Sequence, residues 1–336
     1  MVKLLNKEVG QVGYGLMGLT WRADPPPQEQ AFSAMRAAIA SGCVAFNGGE
    51  LYGTPDFNSL QLLSAYFKKY PEDAEKVVLS IKGGCIPGTM AQPDGSAKNV
   101  RRSIDECLKW LGGRNGDGNK FLDLFEVARL DPNVPVEETI GVIADYVKAG
   151  KVGGISLSEV NANTIRKIHA IHPVSAVEVE FSLWSTDILE NGVAKTCGEL
   201  GIPIVAYSPL GRGFLTGQFR KYEDIPENSM LRHMPRFQPD VFDENIKLLH
   251  EVEKIAKEKG ATPGQIALGW VIAHNGKDGL GEILPIPGAT TDSRVKENAA
   301  PVKLSDEDLT TISDILKKFP IQGYRYPEQL RGHLEQ

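Results

Sequence analysis

Eight short runs of almost unbroken apolar residues recur along this chain, and helical patterning fills the intervals between them. The runs lie at residues 12–18, 43–47, 77–82, 121–128, 153–158, 175–180, 202–207 and 282–287. A strand with one wet face alternates polar and apolar residues. A strand that is apolar throughout is covered on both faces, as parallel strands beneath crossover helices are. Helical patterns occupy residues 28–41, 58–69, 96–111, 136–149, 161–171, 189–200, 243–259, 262–273 and 292–300, and one more lies at 305–318. Their ends carry stop signals: Pro71, Gly150, the pair His172-Pro173, and Gly201, which suits a left-handed cap. A Gly/Asn-rich loop, residues 112–119, precedes the fourth run. Eight β–α units in strict alternation predict an α/β fold, a (β/α)8 TIM barrel. The 336 residues suffice for one such barrel, and no low-complexity linker divides them. Residues 1–336 therefore read as one barrel domain with an N-terminal β-hairpin and an extra C-terminal helix. The longest irregular insertion, residues 218–239, follows the seventh strand and should lie over the active face.

One rival fold has a sequence signal. Gly13-Tyr14-Gly15-Leu16-Met17-Gly18 has the spacing of the dinucleotide-binding turn of an open, doubly wound sheet. That turn works only where a strand passes directly into a helix whose N-terminus meets the pyrophosphate. Here Thr20-Trp21-Arg22-Ala23-Asp24 and three prolines intervene, so the reading is set aside.

Charge narrows the function classes. Lys+Arg 37 against Asp+Glu 43 leaves a net charge of −6, with no basic footprint for nucleic acid and no polybasic membrane patch. No run is long enough to span a bilayer, and the first ten residues lack the apolar core of a secretory signal. Cys43, Cys85, Cys107 and Cys197 lie far apart without a CxxC, which fits reduced thiols in a cytoplasmic protein and no metal site.

In a barrel, chemistry collects at the C-terminal strand ends. Asn47 and Tyr52 follow the second run, Lys82 ends the third, and Ala128 ends the fourth. Ser158 and Glu159 end the fifth, Glu178 and Glu180 the sixth, and Tyr207 and Ser208 the seventh. A phenol hands a proton to a carbonyl oxygen only if its high pKa is brought down, and a neighbouring ammonium does that. Tyr52 with Lys82 therefore suggests carbonyl reduction, with Asn47 as a neutral hydrogen-bond partner for Lys82.

Four motifs carry a resemblance over essentially the whole chain: Gly-Leu-Met-Gly-Leu-Thr at 15–20, Glu50-Leu51-Tyr52-Gly53, the segment from Gly201 through Tyr207-Ser208-Pro209-Leu210-Gly211 to Gly217, and Pro285-Ile286-Pro287-Gly288-Ala289-Thr290 through Arg294 to Asn298. In this order they resemble the aldo-keto reductases. Within that family the chain looks like the fungal pyridoxal reductases, which share its Asn-x-Gly-Glu-x-Tyr-Gly segment and its Ala128-Arg129-Leu130-Asp131-Pro132. The family pattern has Asp where this chain has Asn47 and His where it has Ala128. Carried over by position, the resemblance implies an NADPH-dependent reduction of an aldehyde, with Tyr52 as proton donor, and pyridoxal going to pyridoxine. It implies that Ser158 and Glu178, with Glu159, hold the nicotinamide carboxamide, that Tyr207 stacks on the ring, and that Ser208, Leu210, Gly211 and Gly213 follow the pyrophosphate. Leu16, Met17 and Gly288 are implied as further cofactor contacts. Thr290 and Arg294 would meet the 2′-phosphate, and Glu297 and Asn298 the adenine. A guanidinium suits a phosphate, so Arg294 implies NADPH over NADH. In place of the missing His, the ring hydroxyl beside the aldehyde of pyridoxal would polarise the carbonyl. Two other readings fit the same residues: a regulatory protein that senses NADPH with little turnover, as potassium-channel β subunits resemble, and a reductase of another aldehyde. The expected partner is a small-molecule aldehyde, and the expected state a monomer or weak homo-oligomer.

Overall fold

In the computed structural model, which describes residues 1–89, 91–112, 120–332 and 334, the eight runs become eight parallel strands. A hairpin comes first: β1 (Lys3–Leu4) pairs antiparallel with β2 (Lys7–Glu8). Leu5 and Asn6 turn it at φ 48° and 64°, the left-handed pair that a two-residue hairpin loop demands. The barrel strands are β3 (Tyr14–Gly15), β4 (Ala45–Gly49), β5 (Val78–Gly83), β6 (Leu122–Val127), β7 (Val152–Ser158), β8 (Val174–Glu180), β9 (Ile204–Tyr207) and β10 (Ile283–Pro285). Each is hydrogen-bonded to its sequence neighbour, in order from β3 to β10. The sheet then closes on itself. Gly13 N donates to Pro285 O at 2.9 Å and Gly15 N to Pro287 O at 3.3 Å, and Gly15 pairs in parallel with Gly288. A closed sheet has no open switch point, so the glycine-rich first turn is the barrel seam and not a dinucleotide fingerprint.

Side chains two apart share a face of a strand. Ala45, Val78, Leu124, Ala176, Val205 and Leu284 point inward as a small apolar cluster, which Val2, Leu4 and Val9 of the hairpin join. The opposite faces, including Phe46, Leu79, Phe125, Ile155 and Val177, pack into the main core with the helices. One or two steps further along the inward face, the aliphatics give way to Asn47, Ser80, Lys82, Glu126, Glu178 and Glu180. The barrel is therefore greasy at one end and charged at the other.

Helix boundaries follow local chemistry. The pattern at 189–200 divides into a 3₁₀ turn, Asp187–Leu189, and a helix, Val193–Leu200, because Gly192 takes φ 86° between them. The helix expected from residue 243 begins earlier, as Pro239–Glu258, where proline pre-sets the first turn. Residues 218–239 carry three 3₁₀ turns, Tyr222–Asp224, Met230–His233 and Pro235–Phe237. The extra helix is Asp306–Lys318, and a short one, Glu328–Arg331, follows it. Of the expected loop at 112–119, residues 113–119 fall outside the described residues. Among the described residues no helix is long and apolar enough to cross a membrane, and no His, Cys, Asp and Glu gather in a group that could hold a metal ion.

All four cysteines are buried and unpaired. Burial pushes the Cys43 and Cys85 thiols up to about 11 and Cys197 up to about 12. Since the thiolate is the reactive form, the native protein is expected to resist a disulfide-exchange reagent at pH 8. All four thiols should titrate only after unfolding. Fast reaction of any one in the native protein would contradict this.

Candidate active site

Tyr52 lies in the loop leaving β4. Its ring stacks on Trp21, with centroids 5.4 Å apart and planes at 29°. A Cβ added at Gly49 would come within 3.0–3.2 Å of the Tyr52 ring, so glycine is what lets the ring lie on the strand end. The Tyr52 carbonyl accepts from Thr20 Oγ1 at 2.7 Å and from Ser59 N at 3.1 Å. Backbone and ring are thus fixed without using the hydroxyl. Lys82, at the inner face of β5, puts Nζ 5.9 Å from the ring centroid.

Lys82 does not stand free. Its Nζ lies 2.9 Å from Glu126 Oε1 and 2.5 Å from Glu178 Oε1, and it donates to Asn47 Oδ1 at 3.1 Å. Asn47 then closes the cluster: Nδ2 donates to Glu126 Oε2 at 3.1 Å and to Glu178 Oε2 at 2.6 Å. Ser80 Oγ adds a bond to Glu126 Oε2 at 3.0 Å. Register explains the meeting, since Lys82 pairs with Glu126 across β5–β6, and Glu178 on β8 faces them across the mouth. Asn47 is the neutral partner of Lys82 that its position suggests. The two carboxylates come in addition.

Those carboxylates change the electrostatics. Burial is the largest influence on the Tyr52 hydroxyl, and it raises the pKa; Lys82 lowers it, and Glu178 and Glu126 raise it again. The balance stands at about 12, so Lys82 restrains the phenol without bringing it below its ordinary value. That corrects the expectation of a depressed pKa. For Lys82, burial works against the charge, but Glu126 and Glu178 hold it well above the usual lysine range. Glu178 is pushed up to about 8 by burial and by Glu126, against the pull of Lys82.

Around this centre the rim is crossed by the C-terminal segment. Glu159, at φ 53°, accepts from Glu180 N at 3.0 Å and receives both Arg325 terminal nitrogens at 3.1 and 2.9 Å. Burial would raise the Glu159 carboxyl, but the Arg325 guanidinium holds it below the usual carboxylate range. Tyr326 Oη meets Tyr207 Oη at 3.0 Å, and Arg212 lies over the Tyr326 ring at 4.8 Å. Asn245 fixes the segment at Gln322, donating to its carbonyl at 3.0 Å and accepting from its N–H at 2.7 Å. Arg129 donates to Ser158 Oγ at 3.0 Å and to Ala128 O at 2.5 Å, so the guanidinium folds over the alanine that ends the fourth run. Its charge reaches Tyr52 and favours the phenolate.

The remaining candidates form an arc beside this mouth. Ser158 and Glu178 sit side by side in register at the ends of β7 and β8. Tyr207 ends β9, and after it Ser208, Gly211, Arg212 and Gly213 take φ of 49°, 57°, 57° and 94°. The turn is closed by its own backbone bonds, Gly211 N donating to Ser208 O at 2.9 Å and Gly213 N to Leu210 O at 3.1 Å, and its glycines leave the backbone uncovered by side chains. Leu210 is buried under this turn. A Cβ on Gly264 would lie 3.6 Å from Leu210 and 3.8 Å from Glu297, which sets the turn against the helix Asp292–Asn298. In that helix Arg294 is exposed and pairs with Glu297 at 2.9 Å, while Asn298 is buried. Gly288 and Leu16 lie at the barrel seam, with Leu16 N donating to Asn47 O at 2.8 Å; Met17 is exposed beside them, and a Cβ on Gly18 would lie 3.9 Å from Thr290.

Sequence reasoning missed Glu126, Arg129, Arg212, Arg325 and Tyr326. For Glu126 a signal existed: of the two acids in its run, Asp123 and Glu126, it is the one in the inward register, two residues after Leu124. Arg129, Arg212, Arg325 and Tyr326 lie in segments that resemble the family, which marks the segments, but what each side chain touches is set by tertiary packing.

A family model described as the aldo/keto reductase family matches residues 11–317. The chain is 42% identical over 334 residues to the Schizosaccharomyces pombe protein named "Probable pyridoxal reductase 2", with 97% of each chain covered. It is 41% identical over 336 residues to a Saccharomyces cerevisiae protein named, again provisionally, as a pyridoxal reductase, with 94% and 95% covered. Among solved structures it resembles a glycerol dehydrogenase from Gluconobacter oxydans with a TM-score of 0.81, 96% and 97% coverage and 18% identity, a likeness that speaks for the fold alone.

Proposed function

The chain belongs to the aldo/keto reductase family, whose oxidoreductases use nicotinamide cofactors, and from that premise we propose that it reduces an aldehyde to a primary alcohol with NADPH, the aldehyde being pyridoxal. The observation that carries the reading is Tyr52 fixed at the barrel mouth with Lys82 Nζ 5.9 Å from its ring. The residues present fit a dinucleotide. Ser158 and Glu178 offer adjoining polar groups to a carboxamide, Tyr207 offers a flat ring, the glycines of the 208–213 turn let a pyrophosphate come close to the backbone, and Arg294 offers an exposed guanidinium to a 2′-phosphate. Bound there, the cofactor supplies the hydride that goes to the carbonyl carbon. Tyr52 gives its phenolic proton to the carbonyl oxygen, and Lys82 stabilises the phenolate left behind. Asn47 and the two carboxylates fix where that ammonium stands. Arg129 places a second cation at the mouth, whose N–H groups suit the oxygen of a ring hydroxyl beside an aldehyde. Pyridoxal has such a hydroxyl, and its O–H, donated to the carbonyl oxygen, takes the carbonyl-polarising part that Ala128 cannot play.

The reading is tested by NADPH oxidation followed in the presence of pyridoxal. Steady turnover is expected, with NADH much poorer. Arg294→Ala should raise the KM for NADPH about tenfold, the worth of one charge-assisted phosphate contact, and leave that for NADH little changed. An aromatic aldehyde without the neighbouring hydroxyl should be slower by about 10²-fold, the usual cost of one positioned donor. Tight NADPH binding without turnover of any aldehyde would favour a sensing protein instead.

A further inference from the structure

Glu126 and Glu178 are both fully enclosed, and both touch the one ammonium of Lys82. Two anions with one cation in a dry site leave an uncompensated charge, and a proton removes it more cheaply than burial bears it. The bonding pattern says where the proton rests. Glu126 receives two hydrogen bonds on Oε2, from Asn47 Nδ2 at 3.1 Å and Ser80 Oγ at 3.0 Å, with the ammonium 2.9 Å from Oε1 as an ion pair. Glu178 receives Asn47 Nδ2 at 2.6 Å and the ammonium at 2.5 Å, without a hydroxyl of its own. The better-supplied carboxylate keeps its charge. Moreover, Glu126 Oε1 is buried and takes no hydrogen bond, although the ammonium is close. It is an acceptor waiting for a donor, and an acid O–H on Glu178 is the donor the site can provide.

We propose that Glu126 and Glu178 hold a single proton between them at neutral pH, that it rests on Glu178, and that Glu178 therefore faces the barrel mouth as a neutral carboxylic acid. The remaining neighbours of Glu178 are consistent with this. Asn47 on β4, Ser158 on β7 and Val205 on β9 are uncharged, Lys82 on β5 is balanced by Glu126 on β6, and Tyr52 in the loop after β4 is a neutral phenol. The proposal deepens the reductase reading and rests on it for its consequence. An acid both donates and accepts, so Glu178 can serve either end of a carboxamide, where a carboxylate would repel the carbonyl oxygen. Affinity for NADPH should therefore hold at low pH and fall as pH rises through about 8.

The experiment uses the cofactor-free full chain labelled with ¹³C at glutamate Cδ. Across pH 6.5 to 10, the signal missing from E178Q should be that of an acid at neutral pH and move to the carboxylate position with a midpoint near 8. The signal missing from E126Q should stay at the carboxylate position throughout. Should E178Q fail to fold, E178D makes the same assignment, because aspartate carries no label. A neutral-pH carboxylate signal for Glu178, or an acid signal for Glu126, overturns the proposal. NADPH titrations at the two extremes then read the consequence: about tenfold weaker binding at high pH in the wild type, the worth of one hydrogen bond reversed, and no pH dependence in E178Q. If the carbon spectra behave as stated and NADPH fails to bind at any pH, it is the cofactor reading that falls.

Discussion

Tyr52→Phe is expected to lower kcat for pyridoxal reduction by about 10²–10⁴-fold, the range a positioned general acid supplies, while NADPH affinity stays within about twofold because the interaction lost is made with the reacting carbonyl. The variant is a clean one. The hydroxyl makes none of the bonds that fix the residue, since the Trp21 stack, the Gly49 contact and the two bonds to the Tyr52 carbonyl all survive. Stability should be within about 0.5 kcal/mol of the wild type, as for a change that breaks no packing or buried network. A phenol at about 12 stays protonated through the working range, so an alkaline fall in wild-type activity near pH 8 has another source, and Glu178 is the group placed to cause it. The measurement is single-turnover NADPH oxidation. Reduction by Tyr52→Phe at more than a tenth of the wild-type rate would remove Tyr52 from its role.

The barrel was legible because its demands are periodic. Eight strands covered on both faces cannot hide their apolar runs, and the two-residue alternation along each strand puts Asn47, Lys82 and Glu178 on one inner surface once the strands are accepted. Closure between Gly13, Gly15 and the β10 end explains why the glycine-rich turn imitates a nucleotide-binding motif: close backbone approach needs glycine in both settings. Electrostatics were less legible. Tyr52 beside Lys82 reads as a depressed pKa only if the ammonium is unshared, and whether it is shared depends on Glu126, whose run reads as apolar when taken as a whole. The C-terminal segment was opaque for a different reason. Arg325 and Tyr326 lie more than a hundred residues beyond Glu159 and Tyr207, and no local pattern announces that they meet.

Lys82→Met should be the more damaging change, because it strikes stability as well as rate. Methionine fills the space but leaves Glu126 and Glu178 facing each other with only Asn47 and Ser80 for partners. Breaking a buried pair by removing one partner typically costs about 3–5 kcal/mol. The sign of its pH dependence follows from the carboxyls. Without the cation Glu178 loses the group that lowers its pKa and stands further above its unfolded value, so the folded state binds more protons and gains stability as pH falls. Urea unfolding should therefore show the full deficit at pH 7 and a smaller one at pH 5. A second substitution, Glu126→Gln, should recover part of the loss at pH 7, because it removes the charge that Lys82 had balanced. Turnover should not return with stability. The phenol would have lost the one group in its cluster that favours the phenolate, and only Arg129 would remain to do so. A double variant that regains stability and stays slow separates the structural work of Lys82 from its chemical work. Equal stability of Lys82→Met and wild type at both pH values would mean that the ammonium is not what holds the two carboxylates together.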